Sequence, residues 1–217
     1  MHTPKKDYLP AAGKDRLLLF YDPFTLLLGV GSIHRKLIHQ SAIEAEHQIL
    51  EIGCGTGNLT MQVKRTHPET QVVGIDPDPK ALERARRKAQ RRGLNLQFDQ
   101  GFSEDLPYPD ASFDRVLSAF MLHHIKPEEK PLAIQEVYRV LKPGGSLHLV
   151  DFQESQLHEY GGGLHAFLAS KVHSRHGSSP QEVVLSLMRN AGFEGSHEVA
   201  RQATIMGRVT FYQAVRP

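Results

Sequence analysis

The chain has 217 residues, 40% of them hydrophobic and 23% charged, with a net charge of +2 and a pI near 8.7. That length buries an independent core, and the small net charge does not demand a nucleic-acid partner, although the pI leaves anionic surfaces open. Cys54 is the single cysteine, which excludes an internal disulfide and a cysteine-based zinc site and suits a reducing compartment.

Residues 1–10 are polar and show no secretory signal, so the protein is expected to be soluble and cytoplasmic. The apolar run at 17–30 is broken by Asp22 and Pro23, short of the ~20 apolar residues a membrane span needs. It is still too apolar to be left in water, so helices packed on a sheet face are expected here. From residue 48 onward, strands and helices alternate. Strands are expected at Gln48–Ile52, 71–75, 95–100, Phe113–Ala119 and 146–151. Two closing strands at 194–200 and 205–215 lie close enough to pair antiparallel. Asp78 caps the helix after the second strand, Pro79 opens it and Gly93 ends it. Further helices are expected over 131–141, stopping at Lys142-Pro-Gly-Gly145, and over 180–191. The pattern implies an α/β fold, a Rossmann-like seven-stranded, mostly parallel sheet with helices on both faces and a final antiparallel strand.

The first expected strand runs into Glu51-Ile-Gly-Cys-Gly-Thr-Gly57, with glycines at alternate positions and a helix following. Glycine takes positive φ and leaves room against the backbone, so the turn admits a bulky ligand. A dinucleotide fingerprint wants G-x-G-x-x-G; here the third glycine comes one position early and Asn58 stands in its place. Glu51 repels phosphate and suits a cationic group. The second strand ends at Asp76, a carboxylate placed to accept from two ribose hydroxyls. Together these favour an adenosine cofactor without a diphosphate.

Five ordered blocks then carry a resemblance. They are Glu51–Gly57, Gly74-Ile-Asp76, Glu104 through Asp114, Leu122-His-His124, and Arg139-Val-Leu-Lys-Pro-Gly-Gly145. In this order they resemble the class I S-adenosylmethionine-dependent methyltransferases, most closely the branch of ubiquinone/menaquinone C-methyltransferases and related small-molecule enzymes. The resemblance implies a single methyltransferase domain over 1–217: an N-terminal lid or helical segment at 1–47, a cofactor core at 48–152, and an acceptor-side cap with the closing strands at 153–217. It implies S-adenosylmethionine as cofactor, no metal, and a small apolar or amphipathic acceptor such as a quinone precursor or a lipid.

By that resemblance Gly53, Cys54, Gly55 and Gly57 contact the cofactor's amino-acid part. Glu51 orients the turn, Asp76 takes the ribose, and Pro77 or Asp78 lies against adenine. Cys54 also reads simply as a small residue packed in the turn. Where the family shows Gly-Asp-Ala, this chain has Gly101-Phe102-Ser103. Phe102 can stack on adenine but not accept from it, which leaves the Ser103 backbone, Glu104 or Asp105 for that bond. Ser118 and Ala119 close the fourth strand at the same rim. His123 and His124 follow as candidate bases, since histidine titrates near neutrality. Tyr21 or Tyr8 is expected to fold over the crevice, with Tyr160 and His165 as acceptor contacts beside Gly161-Gly-Gly163. Two other readings stay open: an RNA methyltransferase, from the basic run Arg84, Arg86, Arg87, Lys88, Arg91 and Arg92, and a non-catalytic cofactor-binding protein. Peripheral contact with membrane lipid is a further possibility of that basic face.

Overall fold

A computed structural model describes residues 29–152, 179–205 and 207–217. Tyr8, Tyr21, Tyr160, His165 and the triple glycine lie outside the described residues. The elements are α1 (Val30–Gln40), β1 (Gln48–Ile52), α2 (Asn58–Thr66), β2 (Gln71–Asp76), α3 (Pro79–Arg91), β3 (Gln97–Gln100) and β4 (Phe113–Ala119). There follow a short 3-10 turn (Leu122–His124), α4 (Lys130–Val140), β5 (Leu141–Phe152), α5 (Pro180–Asn190), β6 (Glu194–Thr204) and β7 (Gly207–Val215).

The seven strands form one sheet in the order β3-β2-β1-β4-β5-β7-β6. β1 pairs in parallel with both β2 and β4, so the strand order reverses between β1 and β4. β7 runs antiparallel to β5 and to β6. One sheet face buries Val116, Leu147 and Leu149 against Ile134 and Val137 of α4 and Met188 of α5. On the other, Ile33 and Leu37 of α1 and Leu59 and Val63 of α2 pack on Ile49, Leu117 and Phe211. α3 adds Leu82, Ala85 and Ala89 against Phe98 and Met61. Burying each such leucine or isoleucine contributes about 1.5–3 kcal/mol, so the core is spread over both faces.

The expected fold is the observed one, with shifted boundaries. β3 begins at Gln97 rather than 95, and α4 ends at Val140, one residue early. Leu141 already pairs with Phe113, so Lys142-Pro-Gly-Gly145 is an irregular stretch inside β5 rather than a stop between elements. Asp114 fixes this corner, accepting from the Gln48 N–H at 2.8 Å and from Lys142 Nζ at 2.8 Å. Arg139 does the same for the loop before β4, donating to the Leu106 and Tyr108 carbonyls while paired with Glu136 and Asp110. Asp78 caps α3 as expected, accepting from the Lys80 N–H at 2.9 Å.

Two histidines are sealed in the core. Burial lowers the pKa of His34 to about 4 and that of His148, bonded to Ser146 at 2.9 Å, to about 3. In the unfolded chain both protonate near 6.5, so between that value and the folded pKa the unfolded state binds more protons and stability falls with acidification. His148→Gln is expected to relieve this loss. Its stability relative to wild type should rise by roughly 2 kcal/mol between pH 7 and pH 5, measured by denaturant unfolding at each pH. A difference that does not change with pH would contradict it.

Candidate active site

The strand reversal leaves a crevice beyond the carboxyl ends of β1 and β4, where open parallel sheets take their ligands. A cavity of about 390 Å³ opens there, within the range of small-molecule sites. Ile52 and Gly53 line it from β1, Ile75 and Pro77 from β2, and Gly101, Phe102, Ser103 and Glu104 from the loop after β3. The wall after β4 is Met121, His124, Ile125, Lys126 and Glu129.

The glycine turn is shaped by its backbone. Gly53, Gly55 and Gly57 all have positive φ, at 70°, 51° and 74°. A Cβ on Gly53 would fall 2.4 Å from Met121 Cγ, and one on Gly57 2.9 Å from the Phe98 ring. Side chains are excluded at both positions by conformation and by space. Cys54 points inward among Met61, Leu82 and Phe98, and burial pushes its thiol pKa up. Its sulfur is part of the packing under the turn.

Two carboxylates organise the turn. Asp76 Oδ2 accepts from the Gly55 N–H at 2.7 Å and Oδ1 from the Asp78 N–H at 2.9 Å. Burial pushes the Asp76 pKa up, and these two backbone bonds hold it down. A carboxylate offers about four acceptor sites, so two remain. Glu51, 3% exposed, accepts from the Thr60 hydroxyl. Burial raises its pKa to about 8, against the pull of the Thr60 bonds. A cation beside it would restore the ionised form.

The residues fit an adenosyl ligand bearing an amino acid. Ser118 Oγ and Asp78 Oδ2 are buried without a hydrogen-bond partner among the described residues. Ser118 pairs with Ile52, which lines the cavity, and Asp78 follows Pro77, which also lines it. Such orphaned polar atoms call for a ligand or water. Phe102 presents an aromatic wall in place of a carboxylate, and the Ser103 hydroxyl meets Glu104 at 3.2 Å. Ala119, partly buried, ends β4 beside Phe120. Phe120 holds φ at 58°, a conformation that costs a non-glycine residue about 1–2 kcal/mol, with its N–H on the Val150 carbonyl at 2.9 Å.

The two candidate bases part company. His124 lines the large cavity; packing around its ring and the neighbouring His123 lower its pKa to about 4, although the residue is exposed overall. His123 turns instead to Asp151 at the end of β5, Nδ1 to Oδ1 at 2.5 Å. Asp151 is absent from the sequence reading. Its signal was an acid closing a parallel strand, as Asp76 closes β2. Among the described residues no group of three or more His, Cys, Asp or Glu side chains could hold a metal ion, and no helix is long and apolar enough to cross a membrane.

A switch-point crevice with a glycine turn and an acid at the end of the next strand is the arrangement that the resemblance to S-adenosylmethionine-dependent methyltransferases implies. Residues 49–145 match the family described as methyltransferase domain. Among curated proteins it is 38% identical over 135 residues to a demethylmenaquinone methyltransferase of Thermus thermophilus, covering 61% of this chain and 60% of that protein. It is 38% identical over 133 residues to a ubiquinone/menaquinone biosynthesis C-methyltransferase of a Marinomonas species, covering 58% and 52%. The chain therefore spans little more than half the length of these relatives. Among solved structures it resembles an S-adenosylmethionine-dependent methyltransferase from Methanosarcina mazei, with a TM-score of 0.64 and 26% identity, covering 83% of this chain and 98% of that one.

Proposed function

We propose that this protein transfers a methyl group from S-adenosylmethionine to a small apolar or amphipathic acceptor of the quinone-precursor or lipid-like kind. What carries the reading is the presence of two buried carboxylates, Asp76 on the Gly55 N–H and Glu51 on the Thr60 hydroxyl, at a glycine turn beside the cavity. When bound, the cofactor supplies a methyl group on a positively charged sulfur that is itself a good leaving group. The chain then has to bind, align and exclude water.

In this reading the two free acceptor sites of Asp76 take the ribose hydroxyls, and Glu51 faces the cationic amino group. The backbone at Gly53, Gly55 and Gly57 frames the amino-acid part. Pro77 and Phe102 sandwich the adenine, with Ser103 at its edge. Ser118 and Ala119 border the reacting end, and a histidine at 123 or 124 takes the acceptor's proton. An apolar acceptor suits the leucine-rich run at 17–28 and the relatives' named quinone substrates. Action in the cytoplasm belongs to the same reading.

The RNA alternative rests on the basic face of α3. Four of the six basic side chains from Arg84 to Arg92 are engaged within the protein: Arg86 on the Phe98 carbonyl, Arg87 on Glu83, Lys88 on Asn58 and Arg92 on Met61. These contacts give the face a packing role and favour a small acceptor. Methyl uptake from labelled cofactor should be screened over demethylmenaquinone, lipid amines, polar metabolites and RNA. Turnover of the apolar compounds is expected. Turnover confined to polar metabolites or to RNA would remove the proposal, as would tight cofactor binding with no turnover of any acceptor.

A further inference from the structure

We propose that His123, rather than His124, is the proton acceptor, and that Asp151 is the positioning residue that makes it one; this rests on the methyl-transfer reading above. Asp151 is the last residue but one of β5, is 4% exposed, and is held by three bonds. Its Oδ1 meets His123 Nδ1 at 2.5 Å and the Phe152 N–H at 2.7 Å, and its Oδ2 accepts from the His123 N–H at 3.1 Å. One carboxylate thus fixes both the backbone and the ring of His123.

A carboxylate on Nδ1 selects the tautomer with the proton there and leaves the lone pair on Nε2. It also stabilises the imidazolium that forms when Nε2 takes a proton. The ring is further clamped by the Phe152 ring edge-on at 5.4 Å, and Phe152 in turn meets Phe120 at 4.9 Å. Phe120 is the residue held at positive φ. No described carboxylate holds His124 in this way; its ring leans on that of His123, 4.0 Å between centroids.

His123 and Asp151 also line a second cavity, with Lys130, Phe152, Val183 and Leu187. Its volume is about 20 Å³, room for about one water. The cavity suits proton relay and is too small for an acceptor. The step is a proton transfer. The acceptor's C–H or O–H proton moves to Nε2 through one water that this cavity has room for, and the bonding pair stays on the acceptor to take the methyl group. Imidazolium then returns the proton to solvent. The charged and titratable groups around the dyad are His124 on the same turn, Lys130 on α4 and Tyr212 on β7, the last raised in pKa by burial and also by the Asp151 charge.

The test uses the full chain, with demethylmenaquinone as the probe acceptor. Nitrogen NMR of labelled histidine, with the His123 signals assigned by their loss in His123→Gln, should show Nδ1 protonated in wild type. In Asp151→Asn that preference should be lost. The same variant should lower kcat at least about a hundredfold with little change in KM, and move the acid limb of the pH–rate profile to lower pH. Both variants are first checked for wild-type melting behaviour. An Nε2-protonated His123 in wild type, shifts unaltered in Asp151→Asn, or an unmoved acid limb would overturn the proposal. Absence of any wild-type turnover would count against the methyl-transfer reading instead, and the nitrogen shifts would still decide the dyad.

Discussion

Asp76→Ala is expected to raise the Kd for S-adenosylmethionine at least a hundredfold and to lower Tm by several degrees. The carboxylate accepts from the Gly55 and Asp78 N–H groups and is 9% exposed. Its removal leaves two donors in the turn without their partner, at about 1–3 kcal/mol each. That destabilisation, at about 2–4 °C per kcal/mol for a chain of this size, sets the fall in Tm. Affinity falls for a second reason. Hydrogen bonds from ribose hydroxyls to a charged acceptor contribute about 1.5–3 kcal/mol each, and two of them amount to about two decades or more in Kd. Calorimetric titration and a thermal melt read the two effects separately. A variant that melts early but binds with wild-type affinity would assign Asp76 to the turn alone.

Glu51→Gln is expected to act in opposite directions on stability and on binding. Burial raises the Glu51 pKa from 4.5 to about 8, so the folded state holds this proton more tightly than the unfolded one. The associated stability is complete below pH 4.5 and is lost as pH rises through about 8, amounting to roughly 4 kcal/mol by that point. Glutamine is neutral throughout and can still accept from the Thr60 hydroxyl, so the free variant should be more stable than wild type at pH 8. A bound ammonium favours the ionised carboxylate, so wild type should release up to about one proton on binding at pH 7. Titration in two buffers of different ionisation enthalpy measures that release. The variant should bind more weakly and release less. Equal proton release by both proteins would show that Glu51 does not answer to the ligand's charge.

The sheet and its crevice were legible because their signals are local. Short apolar runs, the capping Asp78 and the glycines after β1 each state their role within a few residues. Arg139, Asp114 and Lys142 were legible as a family pattern and not as individuals: they belong to the blocks that carry the resemblance, yet they brace corners of the scaffold. The pairing of His123 with Asp151 was out of reach for the opposite reason. Their bond joins residues 28 apart in sequence, on the turn after β4 and at the end of β5, and nothing in the pair His123-His124 says which ring meets a carboxylate. The β5 boundary was missed because pairing of Leu141 with Phe113 overrides the stop signal of a Pro-Gly-Gly run. Cys54 lies within the ligand-binding turn by sequence, but its side chain belongs to the core beneath it.

The central claim is that the loops after β1, β2, β3 and β4 enclose an adenosyl group joined to a cationic amino acid and not to a diphosphate. Isothermal titration of the full chain with S-adenosylmethionine, S-adenosylhomocysteine and NAD tests it most directly. Saturable binding of the first two, weakened in Asp76→Ala, with no heat from NAD, is the predicted result. Tight uptake of NAD with no affinity for either adenosyl compound would contradict it.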